Sequence, residues 1–102
     1  MSEAGMVQFL LDQLQDSGVT ARSMFGGHGI YRNGRMFALV YDEVVYMKVS
    51  EDEAKSSGRE PFRPRPSQTL LSYREVSADE LEDPALLASL FDRAYQAASG
   101  SK

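Results

Sequence analysis

The chain has 102 residues, 42% of them hydrophobic, and 11 Lys and Arg against 15 Asp and Glu give a formal net charge of -4. That length fits one small domain with one modest core and does not fit two. The lack of cysteine excludes disulfide scaffolds, thiol nucleophiles and cysteine metal sites, and a single histidine, His28, excludes multi-histidine sites and most triads.

The first segment predicts a helix. Ser2 is its expected N-cap, Glu3 suits the positive first turn, and Met6, Phe9, Leu10 and Leu14 fall on one face. Ser17-Gly18 predicts its stop, with Gly18 as a left-handed cap. From Val19 the period shortens to that of a strand running to Phe25, which Gly26-Gly27-His28-Gly29 is expected to interrupt. Ile30-Tyr31-Arg32 then leads into Asn33-Gly34, a strong signal for a two-residue hairpin turn. Arg35 to Tyr41 is the returning strand, Asp42-Glu43 a second tight turn, and Val44 to Val49 the next strand. On that last strand Val45, Met47 and Val49 share a face expected to meet the helices.

Ser50 with Glu53 predicts a capping box that opens a short helix from Glu51 to about Ser57. Pro61, Pro64 and Pro66 are expected to forbid regular pairing over residues 60–66, leaving that stretch extended or looped. Gln68 to Val76 regains strand character. Ser77 with Glu80 is a second capping box, and Asp83-Pro84 opens a last helix whose apolar stripe is Leu86, Leu87, Leu90, Phe91 and Ala94. The order α-β-β-β(-β)-α-β-α predicts a two-layer α+β domain over residues 1–98, an antiparallel sheet of four to five strands with helices on one face. Residues 99–102 are expected to form a disordered tail.

Charge is unevenly spread. Residues 59–74 carry Arg59, Arg63, Arg65 and Arg74 against Glu60 alone, a local balance of +3, while residues 75–98 hold six acids and one base. A proline-stiffened loop of arginines can contact phosphates or acidic protein patches. The favoured alternative is a solvated loop that pairs with the acidic C-terminal helix. Gly26 to Gly29 can cradle phosphate, but no Lys-Ser/Thr follows and no helix starts there. A close crossing that tolerates no side chain is the simpler account. His28 lacks an orienting acid nearby, and Asp79, Glu80, Glu82 and Asp83 are explained as helix caps. The tyrosines and phenylalanines of the sheet can stack bases if exposed, but pack a core more often.

Several of these residues, in order, resemble a known family. Arg22-Ser23-Met24-Phe25-Gly26-Gly27-His28-Gly29-Ile30-Tyr31 is followed by Gly34, Phe37-Ala38 and Val40. Tyr46-Met47-Lys48-Val49, Glu60-Pro61-Phe62, Leu71-Ser72-Tyr73 and Leu81-Glu82-Asp83 complete the series. This series resembles the TfoX (Sxy) N-terminal domain family, here as a stand-alone single-domain member, over about Phe9 to Ala98. The resemblance implies a fold akin to type III secretion chaperones and YjbR-like proteins. It makes Met24, Phe25, Gly26, Gly27, Gly29, Tyr31 and Gly34 a structural motif. Full-length TfoX proteins regulate natural competence with the cyclic-AMP receptor protein and carry a second, helical domain. The family offers no catalytic residues to carry over, so no catalytic, cofactor or metal site is expected. Arg63-Pro64-Arg65-Pro66 stands where the family usually has an aromatic, and Tyr73-Arg74 where it has two tyrosines.

The expected function is a non-enzymatic transcriptional regulator or co-regulator that works through protein contacts, with Arg59, Arg63, Arg65 and Arg74 as its candidate partner surface. A chaperone-like homodimer without a nucleic-acid role is the alternative. Weak direct DNA binding is a third reading, disfavoured by the net charge. The chain shows neither an apolar run of the ~18 residues of a membrane span nor a signal-peptide pattern, so a cytoplasmic location is expected.

Overall fold

The computed structural model describes residues 3–14, 18–24 and 26–99. Helix α1 (Glu3–Gln13) turns Val7, Leu10 and Leu14 into the core. Gly18 has the left-handed φ of 65° its sequence position calls for. Ser2, Ser17 and Phe25 lie outside the described residues, as does the tail beyond Ser99.

Four strands follow as an antiparallel meander: β1 (Val19–Met24), β2 (Gly27–Arg32), β3 (Arg35–Tyr41) and β4 (Val44–Lys48). Asn33 and Gly34 take φ of 53° and 77°, the two positive values that a type I′ turn requires. Asp42 and Glu43 take the same conformation, with φ of 52° and 63°, without a glycine to ease it. The strand ends where the glycine run begins, but the interruption is confined to the start of the run. Gly26 alone is in a turn, with φ of 79°, and β2 begins at Gly27. Pairing continues because the glycines allow close approach. A Cβ at Gly27 would collide with the Val40 carbonyl oxygen, and one at Gly29 would lie 2.7 Å from Met24 Sδ and 2.8 Å from Met36 Sδ.

The second half comprises α2 (Glu51–Ser56), β5 (Pro61–Arg65), β6 (Gln68–Val76), α3 (Ala78–Leu81) and α4 (Pro84–Ala98). The sheet has six strands in the order β1-β2-β3-β4-β6-β5, more than the four to five expected. The extra strand is β5, in the segment whose prolines were expected to prevent pairing. β5 is an edge strand with β6 as its one neighbour, so a proline there can lose its N–H without breaking the ladder. The prolines leave their mark as register shifts on both sides of Phe62.

Caps set the helix starts. Ser77 and Glu80 form a complete capping box, and Asp83 accepts from the Leu86 N–H ahead of Pro84 at the first helical position. At α2 the box is half made. Ser50 Oγ accepts from the Glu53 N–H, while the Glu53 carboxylate turns to Arg93 at 3.0 Å.

The sheet has two differently covered faces. All four helices pack against one cluster that contains Leu10, Ile30, Phe37, Val40, Val45, Met47, Leu87 and Phe91. Val45, Met47 and Val49 meet the helices as their spacing predicts. Leu86, expected in the apolar stripe of α4, is instead 40% exposed. A bulge helps explain why β3 is apolar at every position from Met36 to Tyr41. Ile30 faces Ala38 and Tyr31 faces Met36, so Phe37 is the extra residue, and both Phe37 and Ala38 join the helix-side core. Leu39, Met36 and Tyr41 supply the other face.

That other face carries a second, smaller core of Leu39, Phe62 and Tyr73, flanked by Met36, Tyr41, Tyr46 and Leu70. Phe62 is 3% exposed although it lies on the edge strand. Strand spacing of about 4.8 Å would put β5 some three strands away from β3 in a flat sheet. Yet the Phe62 ring is 5.3 Å from Tyr41 on β3 and 4.9 Å from Tyr46 on β4. The β5–β6 ribbon therefore curls across this face. On β6, Leu71 to Tyr73 have no partner in β5, since Phe62 faces Leu70 while Pro61 faces Arg74, and this offset permits the curl.

Candidate partner surface

The four arginines of residues 59–74 do not form one face. Arg59 offers its guanidinium fork to both carboxylate oxygens of Glu80, at 2.6 Å each, and also donates to the Glu75 carbonyl at 3.0 Å. Glu80 at the same time accepts from the Ser77 N–H at 2.9 Å as part of the capping box. The hydrogen bonds from Arg59 outweigh partial burial and hold the Glu80 carboxyl down at about 2, from an ordinary 4.5.

Arg74 is 6% exposed and points to the helix side, against α2. Its Nε donates to the Leu71 carbonyl at 2.9 Å, Nη1 to the Arg59 carbonyl at 2.7 Å, and Nη2 to the Ala54 carbonyl at 2.9 Å. The last is an orphan carbonyl near the C-terminus of α2, where a cation is favoured. Arg74 is thus enclosed, and Arg59 is engaged by Glu80 although part of its side chain stays exposed. A basic segment needs carbonyls and a carboxylate when its chain turns inward, and this segment does.

Arg63 and Arg65 are the pair that faces outward. They are exposed on the same side of β5, and Arg63 holds Glu60 at 2.7 Å across solvent. The sheet's aromatic residues are also less available than an open sheet would leave them. Tyr73 donates its hydroxyl to the Met36 carbonyl at 3.4 Å, and burial pushes its phenol up to about 12. Burial, with Glu75 nearby, also raises Tyr46. Arg22 lies over Tyr31 at 5.2 Å and Lys48 over Tyr73 at 5.3 Å, so cations cap the rim of this face.

The motif residues divide by role. Met24 and Tyr31 touch through the Tyr31 hydroxyl and Met24 Sδ at 3.7 Å, above the space Gly29 leaves. Gly26 and Gly34 supply turns, and Gly27 a backbone crossing. Phe25 lies outside the described residues. His28, on β2, borders a crevice of about 10 Å³ with Met24, Tyr41 and Phe62. That is the volume of one water site and admits no substrate. No group of three or more His, Cys, Asp or Glu among the described residues is placed to hold a metal ion. No helix among them is long and apolar enough to cross a membrane.

Two open grooves were not anticipated. One, of about 700 Å³, runs between α2 and the ends of β4 and β6, and its rim carries Leu71, 59% exposed. The other, of about 330 Å³, lies between α1 and α3 and is floored by Met6, Phe9 and Leu81 with Glu43 and Glu82 at its edge. An alternating pattern puts Leu71 on the face of Tyr73, and the offset in β6 is what removes it. No sequence signal announces that offset.

The model of the TfoX N-terminal domain matches residues 10–98. The chain belongs to that family. The match covers every element from the end of α1 to the end of α4, including the glycine run and the β5–β6 ribbon. The search of the curated proteins found no match to this chain.

Proposed function

We propose that this TfoX N-terminal domain is a non-enzymatic binding module that serves transcription regulation through protein contacts and does not itself grip DNA. The observation that carries the reading is the fate of the arginines. Arg59 is spent on Glu80 and Arg74 on three carbonyls, so in the segment that carries the +3 balance Arg63 and Arg65 are the arginines most open to solvent. Two exposed cations from that segment, on a chain of net charge -4, supply too few clustered phosphate contacts for affinity at physiological salt. Membership of a family of regulatory domains supports the same reading. The grooves beside Leu71 and Leu81 offer apolar surface of the kind protein partners use.

Fluorescence anisotropy of mixed-sequence duplex DNA, titrated with the protein from low to physiological salt, tests this. The expected result is weak binding at low salt that vanishes at physiological salt, with little change on replacing Arg63 and Arg65 together by Ala. Tight binding at physiological salt with a steep salt slope overturns it.

A further inference from the structure

We infer that the free edge of β1 is a self-association surface, on which two copies of the chain pair β1 against β1 antiparallel about a two-fold axis. The two ends of the sheet are built differently. At one end, β5 carries Pro61 and Pro64, two register shifts and the exposed Arg63 and Arg65. Prolines, bulges and charges are the devices by which proteins keep a sheet edge from pairing with another chain. At the other end, β1 has none of the first two. It runs six residues in unbroken register with β2, from Val19 opposite Arg32 to Met24 opposite Gly27. In an antiparallel pair alternate residues direct their N–H and C=O groups away from the neighbour. Among the described residues no backbone hydrogen bond reaches that side of β1.

The side chains fit a second copy. The one charge on β1, Arg22, is drawn over Tyr31 within its own sheet. Val19 and Ala21, together with Leu11 of α1, pack against the helix-side core but remain partly exposed. In a symmetric register with the axis at Ala21, Ala21 faces its own counterpart, Thr20 faces the copy's Arg22, and Val19 faces the copy's Ser23. No like charges meet, and every edge group of one copy finds its counterpart in the other. The sheet continues from one copy into the next, as does the layer that α1 forms over it. Because each copy carries -4, added salt screens their repulsion and strengthens the pair. DNA binding has the opposite salt dependence, so this inference and the function proposed above fail separately.

The test is sedimentation of the full chain over an about hundredfold range of concentration, at low and physiological salt, with amide hydrogen exchange at both ends of that range. The expected result is a dimer that salt favours, in which alternate β1 amides exchange at least about tenfold more slowly at high concentration. A chain that stays monomeric throughout overturns the inference. So does a dimer whose β1 amides exchange at an unchanged rate. The variant Thr20→Lys sets a like charge opposite the copy's Arg22 on both sides of the axis, at an exposed position. It is expected to weaken the dimer at least about tenfold with the monomer's melting unchanged. Undiminished dimerisation of that variant also overturns the inference.

Discussion

The two faces of the sheet solve the same problem with different means. The helix side buries aliphatic and aromatic residues under four helices, and its centre is an edge-to-face contact of Phe37 and Phe91 at 5.7 Å. The other side has no helix. It is closed by its own edge ribbon, which carries one phenylalanine over two tyrosines. The first core is thick and apolar; the second is thin, aromatic and wet at its rim, where Tyr73 keeps a hydroxyl partner and Lys48 lies above its ring. A sheet face without helices is therefore not automatically a binding platform. Here Tyr41 and Tyr46, two of the residues that sequence offers as base-stacking candidates, are already used to hold β5 in place.

Five substitutions break or sharpen that comparison. Gly27→Val strikes the β3 backbone that both faces share, since its side chain meets the Val40 carbonyl. It should cost about 3 kcal/mol or more, read as loss of the cooperative thermal transition in circular dichroism. Phe91→Ala and Phe62→Ala set the cores against each other. Phe91 is fully buried and should cost about 3–5 kcal/mol in urea unfolding, whereas Phe62, which solvent and its neighbours can replace in part, should fall at or below the low end of that range. Phe62→Ala should also free the Tyr73 phenol, whose titration then moves from about 12 toward 10. In the unaltered protein that raised value adds stability below about pH 10 that is lost as pH climbs through about 12.

Glu80→Gln removes the tie between α3 and the stretch that leads into β5. The depressed carboxyl of Glu80 adds stability above about pH 4.5 that disappears as pH falls toward about 2. The variant should lose on the order of 1–2 kcal/mol at neutral pH, partial exposure of the pair having been allowed for, and its deficit should shrink at low pH. Melting curves at pH 7 and near pH 2 check the sign. The smallest effect belongs to the turn that joins β3 and β4. Glu43→Gly relieves a left-handed residue at φ of 63° and should gain about 0.5–1 kcal/mol in thermal melts.

What was legible in the sequence was local. Asn33-Gly34, the Ser77–Glu80 box and Asp83-Pro84 each act through neighbours in the chain, and each is where its residues place it. What was not legible depends on distant partners. Nothing within residues 59–74 reveals that Glu80 and the carbonyl of Ala54 take two of the arginines. The prolines of β5 mark it as irregular, but whether a proline-rich strand pairs depends on its place at the edge, which is a property of the whole sheet. The glycine run is a break at Gly26, as read, but Gly27 to Gly29 belong to β2, because close approach at Gly27 and Gly29 and strand pairing are compatible when the chain on the other side is also a strand.

Arg74 has a consequence for how this corner of the molecule opens. Its three acceptors lie on three segments: Ala54 in α2, Arg59 in the connection, and Leu71 in β6. Releasing any one segment leaves a buried guanidinium short of a partner, which is costly in a low-dielectric setting. The three segments are thus latched together and separate as one cooperative unit, in the manner of a keystone and its arch. A protease that cuts between Ser57 and Glu60 would report the release of the whole corner, helix and ribbon at once, and its rate would follow the strength of that single latch.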